Sequence, residues 1–307
     1  MGEAPAGGAP QLIVPAEFAE RIAGQHGDAG RAWLEGLPAV LESHLDRWAL
    51  APDGPAMHGY AGMVLPVRRA GGSRAALKVS WLDGDRCPEA VALAAWDGRG
   101  AVRLLERDDA AGVLLLEWLD PTRSVADLDR LGAATVVGEV CRRLDAPAPA
   151  GLPGLEETAA RWAEELPAAW ERLGRPFDRR WLDAAVATCR ELGPGQPCRL
   201  LHGNLRFGHV LRSEREPWLA IDPNGMAGDP AYEVAPLLGQ LCAGLAAETD
   251  RRGVVAARLG AFTDAAGVDV QRARRWAQAY LVESALWCRE HQTDAVPYVD
   301  RLVGALG

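Results

Sequence analysis

Apolar and polar positions along the chain change period several times, and each change marks an element. In AGRAWLEGLPAVLESHLDRWAL the large residues Trp33, Leu37, Val40, Leu41, Leu45 and Trp48 return every three or four positions, which sets them on one face of an α-helix. Residues 1–10 are a Gly/Ala/Pro-rich stretch without that period and are expected to form a loose leader. Prolines and glycines then break the pattern between Pro52 and Gly62, and MVLPVRRAGGSRAALKVSWL reads as two strands joined at Gly71 and Gly72. PEAVALAAW predicts a short helix opened by Pro88, whose fixed φ suits a first turn. AVRLLERD and GVLLLEWLD supply two further strands around a turn at 108–112. Beyond Pro121 the period is helical almost to the end, interrupted by a polar loop at 198–235. The order predicts an α+β chain: a helical leader (1–50), a small β-rich lobe with one helix (51–120), and a larger, mostly helical lobe (121–307).

Composition narrows the function. A chain of 307 residues has ample material for a core, or for two lobes. Its net charge of −9 argues against a general nucleic-acid binder, which needs clustered basic charge, and favours a cationic small molecule as partner. Cys87, Cys141, Cys189, Cys198, Cys242 and Cys288 are scattered without a C-x-x-C pair, so neither a zinc motif nor a compact disulfide framework is expected. Reduced thiols and the lack of an apolar run of membrane-spanning length point to a cytoplasmic protein without a membrane partner.

Three places carry candidate chemistry. Of the 33 Lys and Arg residues only Lys78 is a lysine, and it lies inside the strand-like RAALKVSWL, where a compact, flexible ammonium suits a phosphate. Asp222 ends the apolar run in WLAID, and a carboxylate there calls for a cation or hydrogen-bond donors. Asp229, between Gly228 and Pro230, fits a carboxylate bonding turn amides. The third place is LLHGNLRFGHVL, a hydrophobic lead-in followed by His202, Gly203, Asn204 and, five residues on, His209.

Those segments, together with GRAWLEGLPAVLESHLDRWAL, EAVALAAWDGRGAVRLLE, LLLEWLD and EPWLAIDPNGMAGDPAYEVA, resemble in order and spacing the aminoglycoside phosphotransferase family, in its streptomycin 6-phosphotransferase and hydroxyurea phosphotransferase branch. The resemblance runs from about residue 24 to 287 and implies a two-lobed protein-kinase-like fold, ATP and Mg²⁺ as cofactors, and a ligand cleft at the lobe interface. It implies that Lys78 meets the nucleotide phosphates and Glu89 holds it by an ion pair. Backbone groups from Glu117 to Leu119 would read the adenine, and Asp222 would ligate the metal. Asn204 then stands where the family has its Asp base, and His209 where it has an Asn metal ligand. An asparagine orients a hydroxyl but accepts no proton at neutral pH. Imidazole suits zinc, copper or iron better than magnesium. Arg206 adds a fixed positive charge for a phosphate or for Asp222, and His202 is expected to order the loop.

The acceptor is expected near residues 157–173 and 281–292, with Trp162, Trp170 and Trp287 as core or wall and Glu283 and Glu290 facing a cation, although Arg289 and His291 dilute the acidity that streptomycin would need. The resemblance implies an ATP-dependent phosphotransferase acting on a hydroxyl of a small natural product, as in antibiotic resistance. The degenerate loop keeps a second function open, a pseudokinase of secondary metabolism that uses the same fold for another reaction or for ligand binding.

Overall fold

The first amphipathic stretch becomes helix α1 (Ala16–Arg47) in the computed structural model, which describes residues 14–82, 84, 86–242 and 250–291. The expected leader at 1–10 lies outside the described residues. The helical run is interrupted at Gly27, whose φ of 58° and ψ of −132° suit only glycine. By backbone contacts the chain divides into two units, residues 1–90 with 103–118, and residues 91–102 with 119–307.

In the first unit six strands form one antiparallel sheet: β1 (Leu50–Pro52), β2 (Met57–His58), β3 (Gly62–Arg69), β4 (Arg74–Ser80), β5 (Leu104–Asp108) and β6 (Val113–Glu117), in the order β1-β3-β4-β6-β5 with β2 on β3. β1 begins at Leu50, the last residue of the stretch expected to be helical, and the Pro/Gly-rich stretch adds its end and β2; both strands are too short to leave a period of two in the sequence. Leu37, Leu41 and Leu45 of α1 share a core with Leu65, Val67, Leu77 and Val79 of the sheet. Trp33, Val40 and Trp48 stay at its margin, partly buried. Helix α2 (Pro88–Trp96) starts in this unit and continues into the second.

The second unit holds α3 (Arg130–Leu144), α4 (Leu155–Arg172), α5 (Arg179–Leu192), the single turn α6 (Leu238–Leu241), α7 (Arg251–Ala266) and α8 (Val270–Glu290). Asp129, Asp178, Asp250 and Asp269 cap α3, α5, α7 and α8 by accepting from amides of the first turn. The polar stretch at 198–235 folds into two short antiparallel ladders. In one, β7 (Arg199–Leu201) pairs with β10 (Met226–Gly228); in the other, β8 (Val210–Arg212) pairs with β9 (Trp218–Ala220). Two 3₁₀ turns, Phe207–His209 and Pro230–Val234, complete it. Among the described residues no helix is long and apolar enough to cross a membrane.

Candidate functional site

Lys78 lies on β4, a central strand, opposite Val64 on β3 and Leu114 on β6. An ammonium among such neighbours needs an anion. Glu89, in the first turn of α2, supplies it: Nζ and Oε1 are 2.7 Å apart, with the two side chains 9% and 12% exposed. Glu117 at the end of β6 pairs with Arg103 in both directions, its N–H donating to the Arg103 carbonyl at 3.0 Å and its carboxylate accepting from the Arg103 N–H at 2.9 Å. Leu119 is half-buried, two residues beyond β6.

In the second unit β7 delivers His202, which is fully buried. Its Nε2 lies 3.0 Å from the Ile221 carbonyl and its Nδ1 3.2 Å from the Asn204 N–H, so the proton sits on Nε2. The ring stacks on Trp96 at 6.2 Å. Every polar atom of the imidazole is thus spent on ordering the loop. Gly203 follows with φ +71°, and a Cβ there would stand 2.9 Å from the Met226 sulfur. The loop is also tied to the chain after β9. The His202 carbonyl accepts from the N–H groups of Asn224 at 2.8 Å and Gly225 at 3.3 Å, and the Asn224 side-chain amide donates to the Gly203 carbonyl at 3.2 Å.

Glu233 holds the loop from the other side. The two oxygens of its buried carboxylate accept from the consecutive backbone amides of His202 and Gly203, the latter at 3.1 Å. Burial pushes its pKa up to about 7 against the opposing pull of those two hydrogen bonds. Asp229 starts the same 3₁₀ turn. It accepts from Ala231 N–H at 3.0 Å, from the Trp276 ring N–H at 2.8 Å and from Arg272, which anchors the turn to α8. Gln240 accepts from the Phe207 N–H at 2.7 Å.

Asn204, His209 and Asp222 meet. The Asn204 side-chain amide donates to the Asp222 main-chain oxygen at 3.2 Å and to its Oδ2 at 3.3 Å. His209 Nδ1 lies 2.7 Å from the Asn204 carbonyl, which only accepts, so Nδ1 carries a proton; Nε2 faces Asp222 Oδ2 at 3.7 Å. Asp222 itself has φ +60°, a strained conformation for a residue with a Cβ and one that clusters at functional sites. Arg206 is exposed, and no hydrogen bond or ion pair brings it to Asp222. Mg²⁺ requires near-octahedral oxygen ligands at about 2.0–2.1 Å. Here Oδ2 already accepts from the Asn204 amide, and position 209 offers an imidazole nitrogen where an oxygen ligand would be needed. This donor set does not fit magnesium.

On α4 and α8, Trp162 and Trp170 are buried and Trp287 is 39% exposed, stacked on His291. Trp162 packs against Tyr232 and Tyr280. Burial raises the pKa of Glu283, with Ser284 and Arg161 opposing, while Glu290 pairs with Arg172. Sequence reasoning missed Glu233, Asn224 and Gln240; of these only Glu233 left a signal, a carboxylate inside the apolar run AYEVAPLL.

Among solved structures the fold is similar to choline kinase LicA from Streptococcus pneumoniae, with a TM-score of 0.58 at 14% identity, covering 88% of this chain and 98% of that one. An ethanolamine kinase from Plasmodium vivax gives 0.56 at 10% identity, covering 96% of each chain. The fold is therefore kinase-like. In sequence the chain is 44% identical over 288 residues to a hydroxyurea phosphotransferase of Kitasatospora aureofaciens, covering 92% of this chain and 82% of that one. It is 39% identical over 276 residues to a streptomycin 6-kinase of Streptomyces glaucescens, covering 89% and 90%. A family model described as aminoglycoside/hydroxyurea antibiotic resistance kinase matches residues 47–292, and the chain belongs to that family.

Proposed function

We propose that this protein transfers a phosphoryl group slowly from ATP to a hydroxyl of a small, cationic natural product of the aminoglycoside kind, in the cytosol. The observation that carries the reading is the buried Lys78–Glu89 pair, an ammonium set against a carboxylate in the arrangement by which kinases meet nucleotide phosphates. His202, Glu233 and Asn224 fix the backbone leading into Asn204, and Asp222 holds its amide, which makes it a rigid group for orienting an acceptor hydroxyl. It takes no proton. General-base help is worth roughly 10²- to 10⁴-fold, and its loss slows a reaction that depends mainly on positioning and electrostatics. The net charge of −9 and the half-buried Glu283 favour a cationic acceptor. The six cysteines are free thiols, in keeping with a reducing compartment.

A second reading, in which transfer has been lost and the fold holds a ligand or serves another reaction, draws on the way Asn204 and His209 both close on Asp222. ADP release with a panel of aminoglycosides and other hydroxylated acceptors separates the two. Slow, acceptor-dependent turnover supports transfer, and it should rise by about 10²-fold or more in the Asn204→Asp/His209→Asn variant. Acceptor binding without turnover in either protein supports the second reading. Wild-type turnover at ordinary kinase rates of roughly 1–100 s⁻¹ would contradict both.

A further inference from the structure

Asp222 is the carboxylate that a kinase of this family would give to a divalent ion, yet here both altered positions turn toward it. Asn204 Nδ2 is 3.3 Å and His209 Nε2 3.7 Å from Asp222 Oδ2. Neither is a chance rotamer. The bond from His209 Nδ1 to the Asn204 carbonyl, 2.7 Å, sets the plane of the imidazole, and the contact of Asn204 Nδ2 with the Asp222 main-chain oxygen, 3.2 Å, sets the amide. The backbone closes the frame, because Ile221 N–H donates to the His209 carbonyl at 2.9 Å and the His202 ring to the Ile221 carbonyl at 3.0 Å.

We infer that the Asn204 amide, braced at its own main-chain carbonyl by His209, takes the place of the metal, so that the protein binds its nucleotide without a divalent ion at Asp222. The nucleotide arm rests on the reading proposed above; the metal arm does not. Charge decides the pairing of the two residues. A carboxylate at 204 would place a second negative group about as close to Oδ2 as the amide is now, and two such groups need a cation between them. The amide removes that repulsion and donates a hydrogen bond in its place. A magnesium ion arriving at Oδ2 would have to displace this donor and give up water for an imidazole nitrogen, which a hard, reluctantly dehydrated cation disfavours.

Two titrations on the full chain test this. Paramagnetic Mn²⁺, followed by the loss of its free-ion resonance, should show no saturable site on the wild type up to about millimolar metal. The Asn204→Asp/His209→Asn variant should gain a site at least roughly tenfold tighter, since it restores oxygen ligands. Calorimetry of ATP in EDTA and in excess Mg²⁺ should give wild-type affinities within about threefold of one another, and a rise of about tenfold or more with Mg²⁺ in the variant. A wild type that binds one equivalent of Mn²⁺, and loses it on Asp222→Ala, overturns the inference; so does wild-type ATP affinity that collapses in EDTA. The wild-type titrations stand whether or not the double variant folds. Failure to bind ATP under either condition would instead refute the donor assignment, and the manganese titration, which needs no nucleotide, would still decide the metal.

Discussion

Replacing Glu233 by glutamine keeps the shape of the side chain and removes its charge, at the point where the loop carrying His202 and Gly203 is held. The carboxylate is buried and accepts from two consecutive backbone amides. Its pKa stands at about 7 against an ordinary 4.5. Between those values the folded chain keeps a proton that the unfolded chain has released, so this group's contribution is fullest at the acid end and is lost as pH rises to about 7. At roughly 1.4 kcal/mol per tenfold change in acidity, the loss is about 3 kcal/mol. Glutamine has no such slope. It accepts one of the two amides and turns an NH₂ toward the other, a cost of about 1–3 kcal/mol at any pH. The variant should therefore be less stable than the wild type near pH 5, and the gap should narrow by up to about 3 kcal/mol toward pH 8. Cys141 and Tyr232, pushed well up by burial, do not titrate in that window. Glu283, also raised, is common to both proteins and cancels in the difference. Urea melts of both proteins at four pH values measure the gap. A gap that stays constant or widens with pH would refute this account of Glu233.

Lys78→Met should cost about 3–5 kcal/mol, because Glu89 keeps its charge in a largely buried place, and Glu89→Gln added to it should recover part of the loss in thermal melts. ATP affinity by calorimetry should fall about tenfold or more in Lys78→Met; unchanged affinity removes Lys78 from the nucleotide. Arg272→Leu takes the guanidinium from Asp229, whose side chain is 5% exposed, and should lower stability by about 3 kcal/mol, against a negligible change if Trp276 and Ala231 suffice. Gly203→Ala meets both the positive φ and the Met226 sulfur and should cost about 2 kcal/mol or more. Adding Met226→Ala should relieve only the contact, so full recovery of stability would show that the backbone conformation is not strained.

Local period and residue type made much of this protein legible before its fold was known. The three-to-four spacing of Leu37, Leu41 and Leu45 marked the core face of α1, and a lone lysine in a strand marked β4. Asn204, His209 and Asp222 stood out because the resemblance assigns their positions to one site, and the structure brings them within 3.7 Å. Tertiary structure alone decided the rest. Glu233 reaches amides 31 and 30 residues earlier, and Arg272 reaches Asp229 across 43. Periodicity reports only what residues a few positions apart share, and such pairs leave no period. The left-handed backbone of Asp222 is equally silent in the sequence, since nothing about an aspartate before a proline announces φ +60°. Whether Asn204 and His209 leave Asp222 open or close on it depends on where their polar atoms point, and only the folded chain fixes those directions.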